Sequence, residues 1–362
     1  LGTASTYQNE QEMNIRVGIL TAPKIESEPA DGGFLLRNVR IGIGFHWDRQ
    51  ETQQFTGELQ ILSNKDGTQT AVNELDIEDY LCSVISSEMS SNSPEELLKA
   101  HAVISRSWAI RAIEANRQSL KDIRSVAFET GGHIGFDVCA DDHCQRYEGT
   151  GRMNNKAVSA VKATKGEVLT YGDEICDTRF HKCCGGRTEV FSTCWEDKYV
   201  PYLQSVECPW CDTDNKDILT SVLNDYDQET RDFHDWQVSY TAAELGDIIR
   251  DKTGIDLGEI TALVPLLRGQ SGRIYRLRIE GTKGSTEIGK ELKIRRALSP
   301  TCLYSSWFDV ERTANGFTLR GKGWGHGVGL CQIGAAVMAA NGADYKQILQ
   351  YYYPGTLIRQ IH

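Results

Sequence analysis

The sequence predicts an α+β fold: a strand-rich core with one long buried helix beside a substrate cleft, plus a smaller inserted α/β segment. Three observations lead there. From Met13 to about Ala71, apolar residues alternate with others at the period of a strand. A helix-start signal at Ser93-Pro94-Glu95-Glu96 then opens a segment with apolar residues on every side. Further on, residues 212–300 combine an Asp-rich lead, a helix and an alternating strand. At 362 residues the chain exceeds one minimal core and suits one elaborated domain or two packed ones.

Taken in order, residues 1–12 are polar and expected to form a disordered tail. Residues 13–211 form the first part of the core. Ile15-Arg16-Val17-Gly18-Ile19, Arg40-Ile41-Gly42-Ile43 and Gly57-Glu58-Leu59-Gln60-Ile61 read as strands, and Asn64-Lys65-Asp66-Gly67 as a hairpin turn. The helix has Ser93 as N-cap, Pro94 in its first position and Glu96 closing a capping box, and runs to about Asn116. Leu97, Ala100, Ile104 and Trp108 form one stripe, with Val103, Ile110 and Ile113 towards the other side, as in a buried helix. Lys99 and Arg106, seven apart on one side, need partners there. They are either structural ion pairs or a cationic stripe facing a cleft. Residues 155–206 read as strands and turns. In the variable insert, 212–300, a helix spans Ala242 to Lys252 and a strand Gly272–Ile279. Residues 301–362 return to the core with a glycine-rich motif, a helix near Ala335–Asn341 capped by Gly342, and a last helical piece at Tyr345–Tyr352.

Composition narrows the function. Hydrophobic residues make up 40% and charged residues 25%, ordinary for a folded domain. A net charge of −11 argues against nucleic acid as a partner, since that requires a basic footprint. It leaves a neutral polymer open. No apolar run approaches the roughly 20 residues of a membrane span. The polar start shows no signal peptide, though an export signal removed ahead of Leu1 stays open. Eleven cysteines cannot all pair within one chain, so some are free thiols or metal ligands.

Three clusters carry candidate chemistry. In Asp79-Tyr80-Leu81-Cys82-Ser83-Val84-Ile85-Ser86-Ser87-Glu88-Met89, Glu88 follows an apolar run and precedes the buried helix. A carboxyl desolvated there would have a raised pKa and could donate a proton near neutral pH. Between Gly321 and Gly329 glycine recurs at every second position, together with His326 and, just beyond, Gln332. As a strand this segment has one nearly bare face, open to another backbone or a polymer. It lacks the Lys-Ser/Thr of a phosphate loop. His133, Cys139, His143 and Cys144 offer a tetrahedral zinc donor set; the alternative is a Cys139–Cys144 disulfide with incidental histidines. Cys208-Pro209-Trp210-Cys211 has thioredoxin-like spacing without the strand-then-helix context, which leaves a structural disulfide or a second metal site. The same choice applies to Cys176, Cys183, Cys184 and Cys194.

Together these residues resemble the SpoIID/LytB family, the stage II sporulation protein D and amidase-enhancer proteins. The similarity runs from about residue 14 to the end and is weakest over 212–270. Its blocks are Asp79-Tyr80-Leu81 through Ser87-Glu88-Met89, the segment Leu98 to Ala109, and Cys144-Gln145-Arg146-Tyr147-Glu148-Gly149. Gly185-Gly186-Arg187-Thr188-Glu189 and Gly323-Trp324-Gly325-His326-Gly327-Val328-Gly329 with Gln332-Ile333-Gly334-Ala335 complete the match. Cys183-Cys184 and Cys331 depart from the usual small polar residues. The resemblance implies a lytic transglycosylase acting on peptidoglycan glycan strands, preferably those without peptides, with Glu88 as the acid/base. It also implies zinc at His133, Cys139, His143 and Cys144 in some members, in a mainly structural role. By motif position, Lys99, Arg106, Gln145, Tyr147, Thr188, His326 and Gln332 would bind the sugar. A cell-wall amidase is an expected partner and the location would be extracytoplasmic. The rival readings are a non-catalytic amidase enhancer, a zinc hydrolase and a structural wall-binding module.

Overall fold

The computed structural model describes residues 13–121, 133–230 and 233–361, and only the backbone of 117–121. The predicted disordered tail, 1–12, lies outside the described residues. Helices and strands are mixed, with several small sheets, in the expected α+β class.

The site rests on a four-stranded sheet. Strand Asn14–Ala22 pairs antiparallel with Gln69–Asp76, which pairs in turn with Glu58–Ser63 across the predicted turn at Asn64–Gly67. Its free edge takes a short parallel strand, Val138–Cys139, through Val17 and Gly18. That pairing brings a cysteine-bearing loop back to the first strand of the core.

Directly after the sheet, Asp76 caps a helix, Ile77–Glu88, by accepting from the Glu78 N–H at 2.8 Å. By sequence this stretch reads as a plain apolar run. The structure corrects it: ten residues of the helix are buried, so it lacks the polar stripe that reveals a surface helix. Glu88 is consequently the last residue of a helix. The long helix Glu95–Lys121 packs behind it, apolar on all sides as predicted. Its predicted capping box is not formed. The Ser93 hydroxyl donates to the Ser221 carbonyl, and the Glu96 carboxylate accepts from Lys99 Nζ and the Tyr345 N–H. A third helix, Asn155–Ala163, stands where strands and turns were expected; Asn154 caps it.

A second apolar cluster runs from Trp236 to Leu319, built on the three-stranded sheets Ile260–Arg268/Ile274–Gly281/Gly284–Gly289 and Asp235–Thr241/Gly316–Lys322/Phe308–Arg312. The helix Ala242–Thr253 packs on it. Two buried polar groups stitch this cluster to the first. The Arg273 guanidinium donates to the carbonyls of Cys184 and Gly325. Glu189 accepts from the backbone of Gln270 and Ser271.

The glycine-rich motif is not the predicted strand. Strand pairing stops at Lys322, and Gly323, Gly325, Gly327 and Gly329 all take positive φ, from 73° to 102°. Every second residue must therefore be left-handed, which glycine alone adopts freely. The close approach is made by the protein itself: a Cβ on Gly327 would lie 2.4 Å from Arg273 Cζ, and one on Gly329 would lie 2.0 Å from the Arg179 carbonyl oxygen.

Candidate functional site

Glu88 sits at the C-terminus of its helix, where carbonyl groups lack partners within the helix. Three side chains supply them, among them the Tyr226 hydroxyl, which donates to the Ser87 carbonyl at 3.3 Å. Lys182 Nζ donates to the Glu88 carbonyl at 2.8 Å, and Asn224 Nδ2 to the Ser87 carbonyl at 2.6 Å. Lys182 is buried and is held by Asp227 at 2.6 Å. Asp227, fully buried, also faces Arg146 at 3.6 Å.

Glu88 is only 9% exposed, and among the described residues its carboxyl accepts one hydrogen bond, from the Arg146 N–H to Oε1 at 2.9 Å. Its Oε2 makes no bond among the described residues, and it is not closed off from solvent. Burial is the main influence on its proton. The nearby Asp142 acts in the same direction, and Arg146 and Lys182 act against it. The outcome is a pKa raised to about 7, so near neutrality a substantial fraction of the group carries its proton. One oxygen is anchored and the other is free, an arrangement suited to proton transfer.

Arg146 organises this end of the helix. Its backbone holds Glu88, its Nε donates to Asp142 at 2.7 Å, and its guanidinium lies over the Trp47 ring, 4.7 Å from the centroid. Trp47 borders an aromatic group with His46 and Trp324. A second buried acid, Glu148, accepts from the Tyr226 hydroxyl at 2.9 Å and pairs with Arg152. Burial raises its pKa too.

The loop leading to Arg146 carries the predicted metal ligands. His133, Cys139, His143 and Cys144 present one donor atom each, all within 4.8 Å of one another. His133 Nε2 lies 3.2 Å and His143 Nδ1 3.5 Å from Cys144 Sγ, and His143 Nδ1 lies 3.9 Å from Cys139 Sγ. Zinc bonds of usual length would set nitrogen and sulfur about 3.6 Å apart. The four side chains thus fit one tetrahedral ion, and adjacency does not keep His143 and Cys144 from pointing at the same place. Cys139 and Cys144 are free thiols. An ion here would close the loop that presents the Arg146 N–H to Glu88.

The other predicted residues lie as follows. Gln145 and Tyr147 flank Arg146 and are buried, Gln145 accepting from the Tyr80 hydroxyl at 3.0 Å and Tyr147 donating to Asn73. Gln332 Nε2 meets His101 Nε2 at 3.0 Å. Thr188 accepts from the Val206 N–H. His326 lies 4.9 Å from Trp195, centroid to centroid, and accepts from the Val328 N–H. Lys99 pairs with Glu95 and Glu96, and Arg106, buried, makes a bidentate pair with Glu78. The long helix therefore shows structural ion pairs rather than a cationic stripe around Glu88. Lys182, Asp227 and Trp47 were missed by sequence reasoning. Arg146 and Glu148 lie in the block Cys144–Gly149, whose sequence alone assigns them no role. Asp227 fell in the stretch read as variable, where nothing local signals a buried acid. Two surface hollows, of ≈ 450 and ≈ 400 Å³, lie elsewhere: one beside Glu167 and Lys346, one beside Arg268 and Asp309.

On an α+β frame, a buried, singly bonded carboxyl thus ends a helix, flanked by an ion-pair network and by a loop with metal-type donors. The stage II sporulation protein family matches residues 65–171, and a domain of unknown function (DUF8618) matches 189–329. An uncharacterized protein of Brachyspira hyodysenteriae is 32% identical over 83% of this chain and 71% of its own length. Stage II sporulation protein D of Bacillus subtilis is 28% identical over 80% and 76%. The amidase enhancer of Bacillus subtilis is 28% identical over 76% of this chain and 39% of its own length. The chain belongs to the SpoIID/LytB family, with a role related to the cell wall.

Proposed function

We propose that the chain is a peptidoglycan lytic transglycosylase that cleaves glycan strands, preferably free of peptides, to 1,6-anhydro products. The observation that carries this reading is the buried Glu88 carboxyl, with one oxygen bonded to the Arg146 N–H and the other unbonded among the described residues, where burial favours the protonated form. Family membership supplies the substrate class. Protonated Glu88 gives its proton to the bridging glycosidic oxygen as the bond to the anomeric carbon breaks. The resulting carboxylate then takes the proton of the sugar's own 6-hydroxyl as that oxygen attacks the anomeric carbon. The acid returns to its starting state, no water is consumed, and one carboxyl serves both steps. The reaction needs no second catalytic carboxylate of the kind usual in glycoside hydrolysis.

Arg146, Lys182 and Asp227 position the acid, and Gln145 and Tyr147 fix Arg146 from either side. His326 on the glycine-rich segment is the proposed sugar contact; Thr188 and Gln332 are fully buried and bonded within the protein, so they do not reach a sugar. His133, Cys139, His143 and Cys144 would hold zinc. With four protein ligands it has no open position, so its role is to clamp the loop rather than to activate water. That disfavours the zinc-hydrolase reading. We place the protein outside the cytoplasm; no helix among the described residues is long and apolar enough to cross a membrane.

The amidase-enhancer relative favours one other reading, a protein that binds strands or an amidase without cutting. Mass spectrometry of strand digests, with and without prior amidase treatment, separates the two. Anhydro-terminated fragments, more abundant after amidase treatment, are expected. Their absence would favour the enhancer, and equal yields from both substrates would refute the preference for bare strands.

A further inference from the structure

Cys184, Cys208, Cys211 and Cys331 come from three separate stretches of chain. Their four sulfurs nevertheless lie within 4.8 Å of one another, and all four residues are fully buried. We propose that they form a second metal centre, a structural tetrathiolate site that takes zinc.

The geometry favours one ion over other uses of four thiols. Sulfurs bound to a single zinc lie about 3.8 Å apart, from bonds of about 2.3 Å in a tetrahedron. Cys184 and Cys211 stand 3.4 Å apart. A disulfide would draw one pair to about 2.0 Å and leave the other two sulfurs unexplained, whereas here all four lie within 4.8 Å of one another. Cys208-Pro209-Trp210-Cys211 has the two-residue spacing of a zinc knuckle. The other pair follows from the fold. Strands Phe180–His181 and Leu330–Cys331 pair in parallel, setting His181 against Cys331 and bringing Cys184 close behind.

The surroundings also suit thiolates. Four thiols would release four protons on binding Zn²⁺, leaving a net charge of −2 on a redox-inert centre. Three hydrogen-bond donors are placed to spread that charge. The Cys184 N–H reaches Cys331 Sγ at 3.3 Å, and the Gly334 N–H, in the first turn of the nine-residue helix Gln332–Ala340, reaches it at 3.4 Å. The Tyr352 hydroxyl lies 3.2 Å from Cys208 Sγ. Gly334 has no room for a side chain: a Cβ would stand 2.5 Å from Cys208 Sγ.

Such a centre has a structural consequence for the acid. Cys184 is two residues past Lys182, which caps the Glu88 helix, and Cys331 immediately precedes Gln332. The ion would lock the segment that carries Lys182 to the helix Gln332–Ala340 and to the 208–211 turn. With four sulfur ligands it has no position for substrate.

The test is metal content, independent of strand cleavage. The protein, purified from cells without added metal, should carry two zinc ions per chain by elemental analysis and native mass spectrometry. Cys139→Ser/His143→Ala should keep one. Grown with cobalt instead, that double variant should show the long-wavelength ligand-field bands and thiolate charge transfer of a tetrathiolate cobalt ion. Cys208→Ser/Cys211→Ser should keep one ion of the histidine-containing kind. If Cys139→Ser/His143→Ala holds no metal, or if its intact mass shows hydrogens lost to disulfides among these four cysteines, the proposal is overturned. That double variant carries the decision if the Cys208→Ser/Cys211→Ser protein does not fold.

Discussion

Glu88 and Glu189 are both buried glutamates, and their surroundings differ in enclosure and in the number of hydrogen-bond donors. Glu189 is wholly enclosed and accepts four hydrogen bonds, from the N–H groups of Val190, Gln270 and Ser271 and from the Ser271 hydroxyl. Glu88 accepts one. Four donors replace much of the hydration a carboxylate loses on burial, and one does not. Burial alone therefore does not make an acid. A buried carboxyl with too few donors holds a proton it can give away, and one with a full set ties two pieces of structure together. Glu189 joins the first core to the Gln270–Ser271 turn of the second.

The largest effect that would sharpen this contrast is on catalysis. Glu88→Gln keeps the shape and the Arg146 contact but has no proton to transfer. Cleavage of purified strands should fall by about 100- to 10,000-fold, the usual worth of an acid–base group. Circular dichroism and strand binding should be unchanged. A mutant that folds, binds and cuts at near wild-type rate would remove Glu88 from the mechanism. Glu189→Gln should do the opposite. It turns an amide NH₂ towards donors already in place and leaves them unsatisfied in a buried site, costing on the order of 3 kcal/mol in urea denaturation. The protein that does fold should cut within a few-fold of wild type. A large kcat loss without a stability loss would erase the distinction between the two acids.

These roles were only partly legible in the sequence. Glu88 stood out because an acid between an apolar run and a buried helix invites desolvation. That it ends a helix was hidden because Ile77–Glu88 is buried almost all round, although Asp76 ahead of Glu78 and Asp79 is a readable cap. The glycine alternation was visible, but period two is shared by strands and by a loop that goes left-handed at every other residue. The donor set at residues 133–144 could be read because it is local in sequence. The cluster of four cysteines could not, since Cys184 and Cys331 meet only through a parallel strand pairing. Lys182 and Asp227 were hidden for the same reason: their value lies in a contact made across 45 residues.

Lys182→Met gives a smaller effect that still separates the two environments. It leaves Asp227 buried with Arg146 alone, at a cost of about 2 kcal/mol. It also removes one of the positive charges that hold the Glu88 proton less tightly, so the alkaline limb of the activity profile should move to higher pH. An unmoved limb would show that Lys182 does not act on Glu88.

The smallest effect is in stability against pH. The folded-state pKa of Glu88, about 7, lies above its ordinary 4.5. Folding therefore favours the protonated form. That contribution is complete below about pH 4.5 and is lost as pH rises through about 7. Glu88→Gln has no such group, so its Tm relative to wild type should rise between pH 5 and pH 8, on the order of a few degrees. A constant difference would mean that Glu88 is not the buried acid with a raised pKa described above.

The most direct measurement is the pH dependence of single-turnover strand cleavage by the wild-type protein. The acid must be protonated when the glycosidic bond breaks, so the rate should fall as pH rises through about 7, with the descending limb absent from the residual activity of Glu88→Gln. A wild-type rate that stays level or climbs from pH 6 to pH 8.5 would contradict the account.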